Sequence, residues 1–297
     1  MKRQTTYKDR IMQRNCAWIL LCGLLASSWT QAADSAANDA LLKQVIAARS
    51  AEDRARDSAR HPLQTLQFFR VEPGMTVAEV LPGSGWYTNI LANYLGPQGT
   101  LYGINYSDRI WPLFPNATDE WIAARKAATG KFPEMVKGFT DNGIRTAGFT
   151  FNKVPAKVAG TVDRVLLIRA LHNLNRFESK AGSRSQALAA IRSMLKDDGM
   201  VGVVQHRVAV ADPGSGTDGS RGYLVEAEVI LMFEQAGFEL VATSEINANP
   251  ADKPGPEDTV WRLPPALGTS KDDPELRAKM EAIGESDRMT LLFRKVP

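Results

Sequence analysis

Cysteine is almost absent from this 297-residue chain: Cys16 and Cys22 are the only two, and both fall within the first 32 residues. If that leader is removed, no thiol remains. A disulfide framework, a cysteine-ligated zinc and a cysteine nucleophile are then excluded together, and a thiol-free chain suits an oxidising compartment. Histidine is also scarce, at His61, His172 and His206. No carboxylate or further histidine is spaced to complete a metal site with them, so no metal is expected. The apolar run Ala17–Ala26 is too short for a comfortable bilayer span. Nor is there an excess of charge of one sign. The formal net charge of +3 comes from the leader, where Lys2, Arg3, Lys8, Arg10 and Arg14 stand against Asp9; without it 31 basic side chains face 32 acidic ones, a net of −1. That balance argues against nucleic acid as a partner.

What the leader does contain is the pattern of a secretory signal. A basic segment precedes Ala17–Ala26, and Ser27–Ala33 supplies small residues with Thr30-Gln31-Ala32 as the cleavage site. The expectation is a signal peptide over residues 1–32 and a periplasmic mature protein with no stable membrane insertion after cleavage. An uncleaved anchor is the alternative, and Met12 is an alternative start. A lipoprotein signal is disfavoured because Leu21, not a small residue, precedes Cys22.

The mature chain begins with a charged, helix-like arm, residues 33–70, with Leu41, Leu42, Val45 and Ile46 as an apolar stripe. A β-branched run, Thr76–Val80, then ends in Leu81-Pro82-Gly83-Ser84-Gly85. A helix over Trp86–Leu95 follows and stops at Gly96-Pro97. This strand–turn–helix order is the kind that cradles a nucleoside-containing cofactor. Further strands are expected at Thr100–Ile104, Gly148–Val154, Thr161–Ile168, Met200–Gln205, Phe238–Thr243 and Met289–Lys295. Helices are expected within Asp108–Lys137 and at Ser185–Leu195 and Leu224–Ala236. Alternation of this kind predicts an α/β fold: a Rossmann-like, seven-stranded, mostly parallel sheet with helices on both faces. The last two strands lack a crossover helix of proper length, which predicts a C-terminal antiparallel hairpin. The domain is placed at residues 71–297, with a Pro-rich and polar insertion at about 246–287.

These residues resemble a class I S-adenosylmethionine-dependent methyltransferase, and more narrowly a family of exported bacterial predicted methyltransferases. The resemblance is carried by the arm Arg54–Pro62, Glu79-Val-Leu-Pro-Gly-Ser-Gly-Trp-Tyr-Thr88, Tyr102-Gly-Ile-Asn105, Ala170-Leu-His-Asn-Leu174 and His206-Arg207. Ala236-Gly-Phe238, Asn249-Pro-Ala-Asp252, Trp261-Arg-Leu-Pro-Pro265 and Asp287-Arg-Met-Thr-Leu-Leu-Phe293 add to it. It implies S-adenosyl-L-methionine as cofactor and carries Glu79, Gly83 and Gly85 onto the superfamily's first motif; Pro82, Ser84 and Trp86 in the same turn are further candidates to hold it. The sequence departs from the superfamily pattern where Leu81 replaces the first glycine of the turn. It departs again where Asn105 stands for the acid that normally holds the ribose diol.

Methyl transfer from a sulfonium needs placement more than a catalytic triad. His172, Asn173 and His206 follow the fourth and fifth strands, at the sheet end where open α/β folds face ligand, and are the candidates for base or orienting group. Asn152 is a candidate for the adenine edge. Arg60, Arg207 and Trp261 are candidates for the acceptor, with the 246–287 insertion as a lid. The expected function is a methyltransferase acting on a small molecule. The alternative is a non-catalytic ligand-binding protein of the cell envelope that retains the fold. A nicotinamide-dependent enzyme ranks last, because Thr88 replaces the third glycine of Gly-x-Gly-x-x-Gly and no Tyr-x-x-x-Lys pair follows.

Overall fold

The computed structural model describes residues 35–208 and 218–296. The expected signal peptide lies outside the described residues, as does most of the Gly/Ser/Asp-rich stretch beginning at Ala211. The chain divides into two compact units after Gln44. In the first, the described residues 35–44 are helical.

The second unit opens with three short helices, α1 (Ala51–Arg54), α2 (Asp57–Arg60) and α3 (Pro62–Phe68). The helix-like arm expected over residues 33–70 is therefore broken into short pieces. Ser50 caps α1 by accepting from the Asp53 amide, and His61 takes a left-handed conformation that ends α2 and lets Pro62 start α3. Then follow β1 (Thr76–Val80), α4 (Trp86–Leu95), β2 (Thr100–Asn105), α5 (Asp119–Gly130), α6 (Phe132–Lys137), β3 (Arg145–Thr150) and β4 (Val162–Ile168). The second half runs α7 (Leu171–Asn175), α8 (Ser183–Met194), β5 (Leu195–Val208), β6 (Leu224–Val225), α9 (Glu226–Gln235), β7 (Phe238–Ser244), α10 (Pro274–Ile283) and β8 (Arg288–Lys295).

The strands form one sheet in the order β3-β2-β1-β4-β5-β8-β7, with the two-residue β6 pairing onto the end of β5. β1 to β5 are mutually parallel, and β8 runs antiparallel between β5 and β7. This is the expected α/β architecture, with the antiparallel hairpin at its C-terminal edge. The third strand begins three residues earlier than expected, at Arg145, and ends at Thr150 because Phe151–Lys153 winds into a 3-10 turn.

Both sheet faces are covered, so the central strands are buried on both sides. Ala78, Val80, Val165, Leu167, Val201 and Val203 pack one face against Leu188, Ile191 and Phe233. On the other face Gly103 and Gly148, paired across β2 and β3, leave room for the α5–α6 junction. A Cβ on Gly103 would stand 2.3 Å from the Phe132 ring, and one on Gly148 would stand 1.8 Å from the Thr129 carbonyl. The glycine pair thus fixes where Phe132 sits.

The order of strands reverses between β1 and β4, since β1 leads outward to β2 while the chain returns on its other side to β4. Crevices for ligands form at such a switch point, outside the carboxyl ends of the strands.

Candidate functional site

The turn after β1 lies at that switch point, and its residues take unusual conformations. Leu81 has φ 52, the left-handed region that a glycine would occupy at no cost. Its N–H donates to the Ile104 carbonyl at 2.8 Å, and its side chain packs on the core, which hold the strained residue in place. Gly83 has φ 61, and the space beyond its Cα is open. Gly85 differs. It has φ 87 and starts α4, and a Cβ there would press on the Phe139 ring at 2.8 Å and on the Met135 sulfur at 3.0 Å. The reason for glycine at position 85 is helix packing. It lines neither of the two cavities described below.

Two cavities meet at this turn, sharing Leu81, Pro82, Gly83 and Asn173 as walls. The one on the β2 side, of about 330 Å³, is aromatic: Tyr106, Trp111, Phe114, Trp121 and Phe132 line it, together with Asn105 and Arg125. The one on the β4 and β5 side, of about 320 Å³, is polar, lined by Arg56, Arg60, Glu79, Ser84, Trp86, Arg169, His172, His206 and Trp261 among others. Asn105 is on the wall expected of it, but its Oδ1 accepts from the Tyr106 amide at 3.0 Å. Its NH2 group and the second lone pair of Oδ1 remain to meet a ligand.

Within the polar cavity one tautomer can be read from the hydrogen bonds. The Gln205 amide nitrogen donates to the carbonyls of His206 and Gly222, at 3.1 and 2.8 Å. Its oxygen therefore faces His172, accepting from the His172 backbone N–H and lying 3.1 Å from Nδ1. An amide oxygen only accepts, so Nδ1 carries the proton and Nε2 keeps a lone pair. Burial holds the His172 imidazole down at about 4; Gln205 opposes that, and Arg169 and Arg176 add to it. Burial pulls His206 well down too, with His172 and Arg169 contributing. Its Nδ1 is 2.6 Å from Ser286 Oγ. The two rings are 5.2 Å apart, and Trp261 lies 6.1 Å from His172. Both histidines are thus neutral at physiological pH.

Glu79 is 5% exposed and accepts from Thr88 Oγ1 at 2.6 Å. Burial raises its carboxyl to about 8 against the opposing Thr88 bond, so it is largely protonated at neutral pH. Trp86 donates from Nε1 to the Asp53 carbonyl, and the guanidinium of Arg60 lies 4.5 Å over its ring.

The fold thus gathers Glu79, Pro82, Gly83, Ser84, Trp86, Asn105, Asn173, His172, His206, Arg60 and Trp261 around one bipartite cleft. It leaves three expected residues outside, Gly85 as described above and two others. Asn152 lies in the 3-10 turn after β3, where it accepts from Thr150 Oγ1 and faces neither cavity. Arg207 is saturated by Glu226, Glu245 and Asp287 and ties β5 to neighbouring elements. Arg169 and Gln205 had no motif to announce them, because their roles depend on strand pairing. The aromatic wall has no motif either: Trp111, Phe114 and Trp121 fall in the mixed helical region Asp108–Lys137. Among the described residues no group of three or more His, Cys, Asp or Glu side chains is placed to hold a metal. None of the described helices is long and apolar enough to cross a membrane.

No family model matches this chain, and no curated protein matches it. Solved structures do resemble it. One is a SAM-dependent methyltransferase from Aquifex aeolicus, 19% identical with a TM-score of 0.45, covering 69% of this chain and 93% of that one. A second is the cyclase SpnF, 14% identical with a TM-score of 0.48, covering 80% of each chain. A third is the 1,6-didemethyltoxoflavin-N1-methyltransferase of Burkholderia thailandensis, solved with 1,6-didemethyltoxoflavin and S-adenosylhomocysteine. It is 12% identical with a TM-score of 0.43, covering 100% of this chain and 94% of that one. These are distant likenesses, and nothing about the site rests on them.

Proposed function

We propose that this protein is an S-adenosyl-L-methionine-dependent methyltransferase of a small molecule. The observation that carries the reading is the bipartite cleft at the switch point. An aromatic chamber able to take a nucleoside and a polar chamber with a neutral histidine meet at one glycine, Gly83. The residues present fit the cofactor: the aromatic side chains offer stacking surfaces to adenine, and the Asn105 NH2 group can donate to the ribose. The uncapped start of α4 at Gly85 offers free amides toward a carboxylate. When bound, the cofactor supplies a methyl carbon on a sulfonium leaving group. On the protein side, Asn173 walls both chambers at their junction, Trp261 narrows the polar one, and His172 Nε2 is the acceptor for the proton that the nucleophile loses.

Calorimetric titration of the full chain with S-adenosylmethionine and S-adenosylhomocysteine tests this. Binding of both is expected, with Gly83→Val weakening it about tenfold or more, since a branched side chain at positive φ would fill the shared wall. Heat with neither ligand would sink the reading. One observation favours the second reading, a ligand-binding protein without catalysis: the left-handed Leu81 crowds the turn where the superfamily pattern has glycine. It predicts binding of another small molecule and none of S-adenosylmethionine. The basic and apolar leader supports a periplasmic location, which fractionation and N-terminal sequencing of the expressed chain would check.

A further inference from the structure

The polar chamber carries more positive charge than the protein itself neutralises. Arg60 of α2, Arg56 just before it and Arg169 just after β4 line it; Arg288, at the start of β8, does not line it but shares their counter-ion. One carboxylate, Glu285, serves three of them, accepting from Arg56 Nε at 2.8 Å, from Arg60 Nε at 3.3 Å and from Arg288 Nη1 at 3.2 Å. Burial opposes the ionisation of Glu285, but Arg60, Arg288, Arg56 and Arg169 together outweigh it and keep the carboxyl below its usual range. These five groups hold three uncompensated positive charges. Arg60 is 2% exposed, yet its Nη1 has no hydrogen-bond partner, and the buried Nε of Arg169 has none. Burial and the Arg169 charge bring the Arg60 guanidinium down to about 9, with Glu285 opposing. Arg169 itself is brought down to about 10, chiefly by burial. Unpaired buried donors of this kind are costly unless a ligand satisfies them.

Taken whole, the cofactor adds positive charge rather than the missing negative charge. Its sulfonium and ammonium outweigh its single carboxylate, so it enters as a cation. The arginines also stand on the β4 and β5 side of Gly83, away from the aromatic chamber and beside His172. We propose that Arg60 and Arg169, with the more exposed Arg56, form an oxyanion subsite for the methyl acceptor, so that the acceptor is a small carboxylate or phosphate. This rests on the methyltransferase reading. The anionic group anchors one end of the acceptor on the guanidinium forks, and its nucleophilic atom lies toward His172 Nε2 and the shared wall. The same positive field favours the deprotonated form of that nucleophile.

The test is calorimetry on the full chain with inorganic phosphate and, separately, acetate, at low ionic strength, with and without saturating S-adenosylhomocysteine. At least one of the two anions is expected to bind whether or not S-adenosylhomocysteine is present, and to bind about tenfold or more weakly in Arg169→Gln. Arg56→Gln, at a position whose side chain is 27% exposed, is expected to bind it more weakly too, and it carries the test if Arg169→Gln does not fold. The proposal is overturned if neither anion binds. It is overturned if S-adenosylhomocysteine displaces the anion, because the arginines then hold the cofactor's own carboxylate. It is overturned if the folded variants bind like the parent. Anion binding that depends on the arginines, together with no heat from S-adenosylhomocysteine, would keep the oxyanion site. That result would overturn both its assignment to a methyl acceptor and the methyltransferase reading.

Discussion

Glu79 illustrates how one side chain can look the same in sequence and behave differently in the fold. An acid at the end of the first strand reads as a charged ligand for cofactor. In the structure it points to the α4 face, accepts from Thr88 and is pushed up to about 8 from an ordinary 4.5, first by burial. Between these values the unfolded chain has lost the proton while the folded chain retains it. The folded state therefore binds more protons across that window, and stability falls as pH rises from about 4.5 to about 8. Glu79→Gln keeps the size and the bond to Thr88 and removes the titration. Its melting temperature relative to the parent is expected to climb across this window. Parallel pH profiles for the two proteins would refute the buried, protonated carboxyl. His172 and His206, both pulled down, act in the opposite sense below about 6.5 in parent and variant alike, so the difference isolates Glu79.

The C-terminal half is fastened element to element by Arg207. From the end of β5 its guanidinium reaches Glu226 at the start of α9, Glu245 just after β7 and Asp287 just before β8, at 2.6 to 2.9 Å. Glu245 is largely exposed, so water screens part of the benefit. Arg207→Ala is expected to cost about 1–2 kcal/mol, because the shielded Asp287 loses its partner. That is a fall of a few degrees in Tm. Binding of anions and cofactor is expected to be unchanged, since Arg207 lies outside both chambers. A variant with parental Tm and impaired anion binding would restore Arg207 to the site.

Across the whole molecule, the 246–287 segment contributes Trp261 to the polar chamber and is tied to the rest of the domain through one buried acid. Its Asp252 side chain, fully buried, accepts from Arg262 at 2.6 Å and from Tyr223, and it also holds the amide of Asp287. This network sets the position of the neighbouring Trp261 over the polar chamber. Asp252→Asn would leave the Arg262 charge buried without its main counter-charge, a loss of about 3–5 kcal/mol. Limited proteolysis is expected to cut the variant within 246–287 well before the rest of the domain. Cleavage sites and rates like those of the parent would show that the pair does not anchor the insertion.

The sequence by itself determined the local elements and their alternation. Thr76–Val80 and Trp86–Leu95 are found where β-branching, glycine and proline place them, because those signals act over a few residues. It also pointed to His172, Asn173, His206 and Gly83, since strand ends at a switch point face the cleft whatever the details of packing. Only the tertiary structure decided which groups share a chamber and in what state. Gly85 became a packing position through Phe139 and Met135, which lie some fifty residues away in the chain. Asn105 turned its oxygen to the neighbouring Tyr106 amide, and Arg207 was claimed by three carboxylates from separate elements. Arg169 and Gln205 gained their roles only when β4 paired with β5. Burial, and with it the proton on Glu79, the lone pair of His172 and the surplus charge around Arg60, depends on neighbours far apart in sequence, and no short-range pattern encodes that.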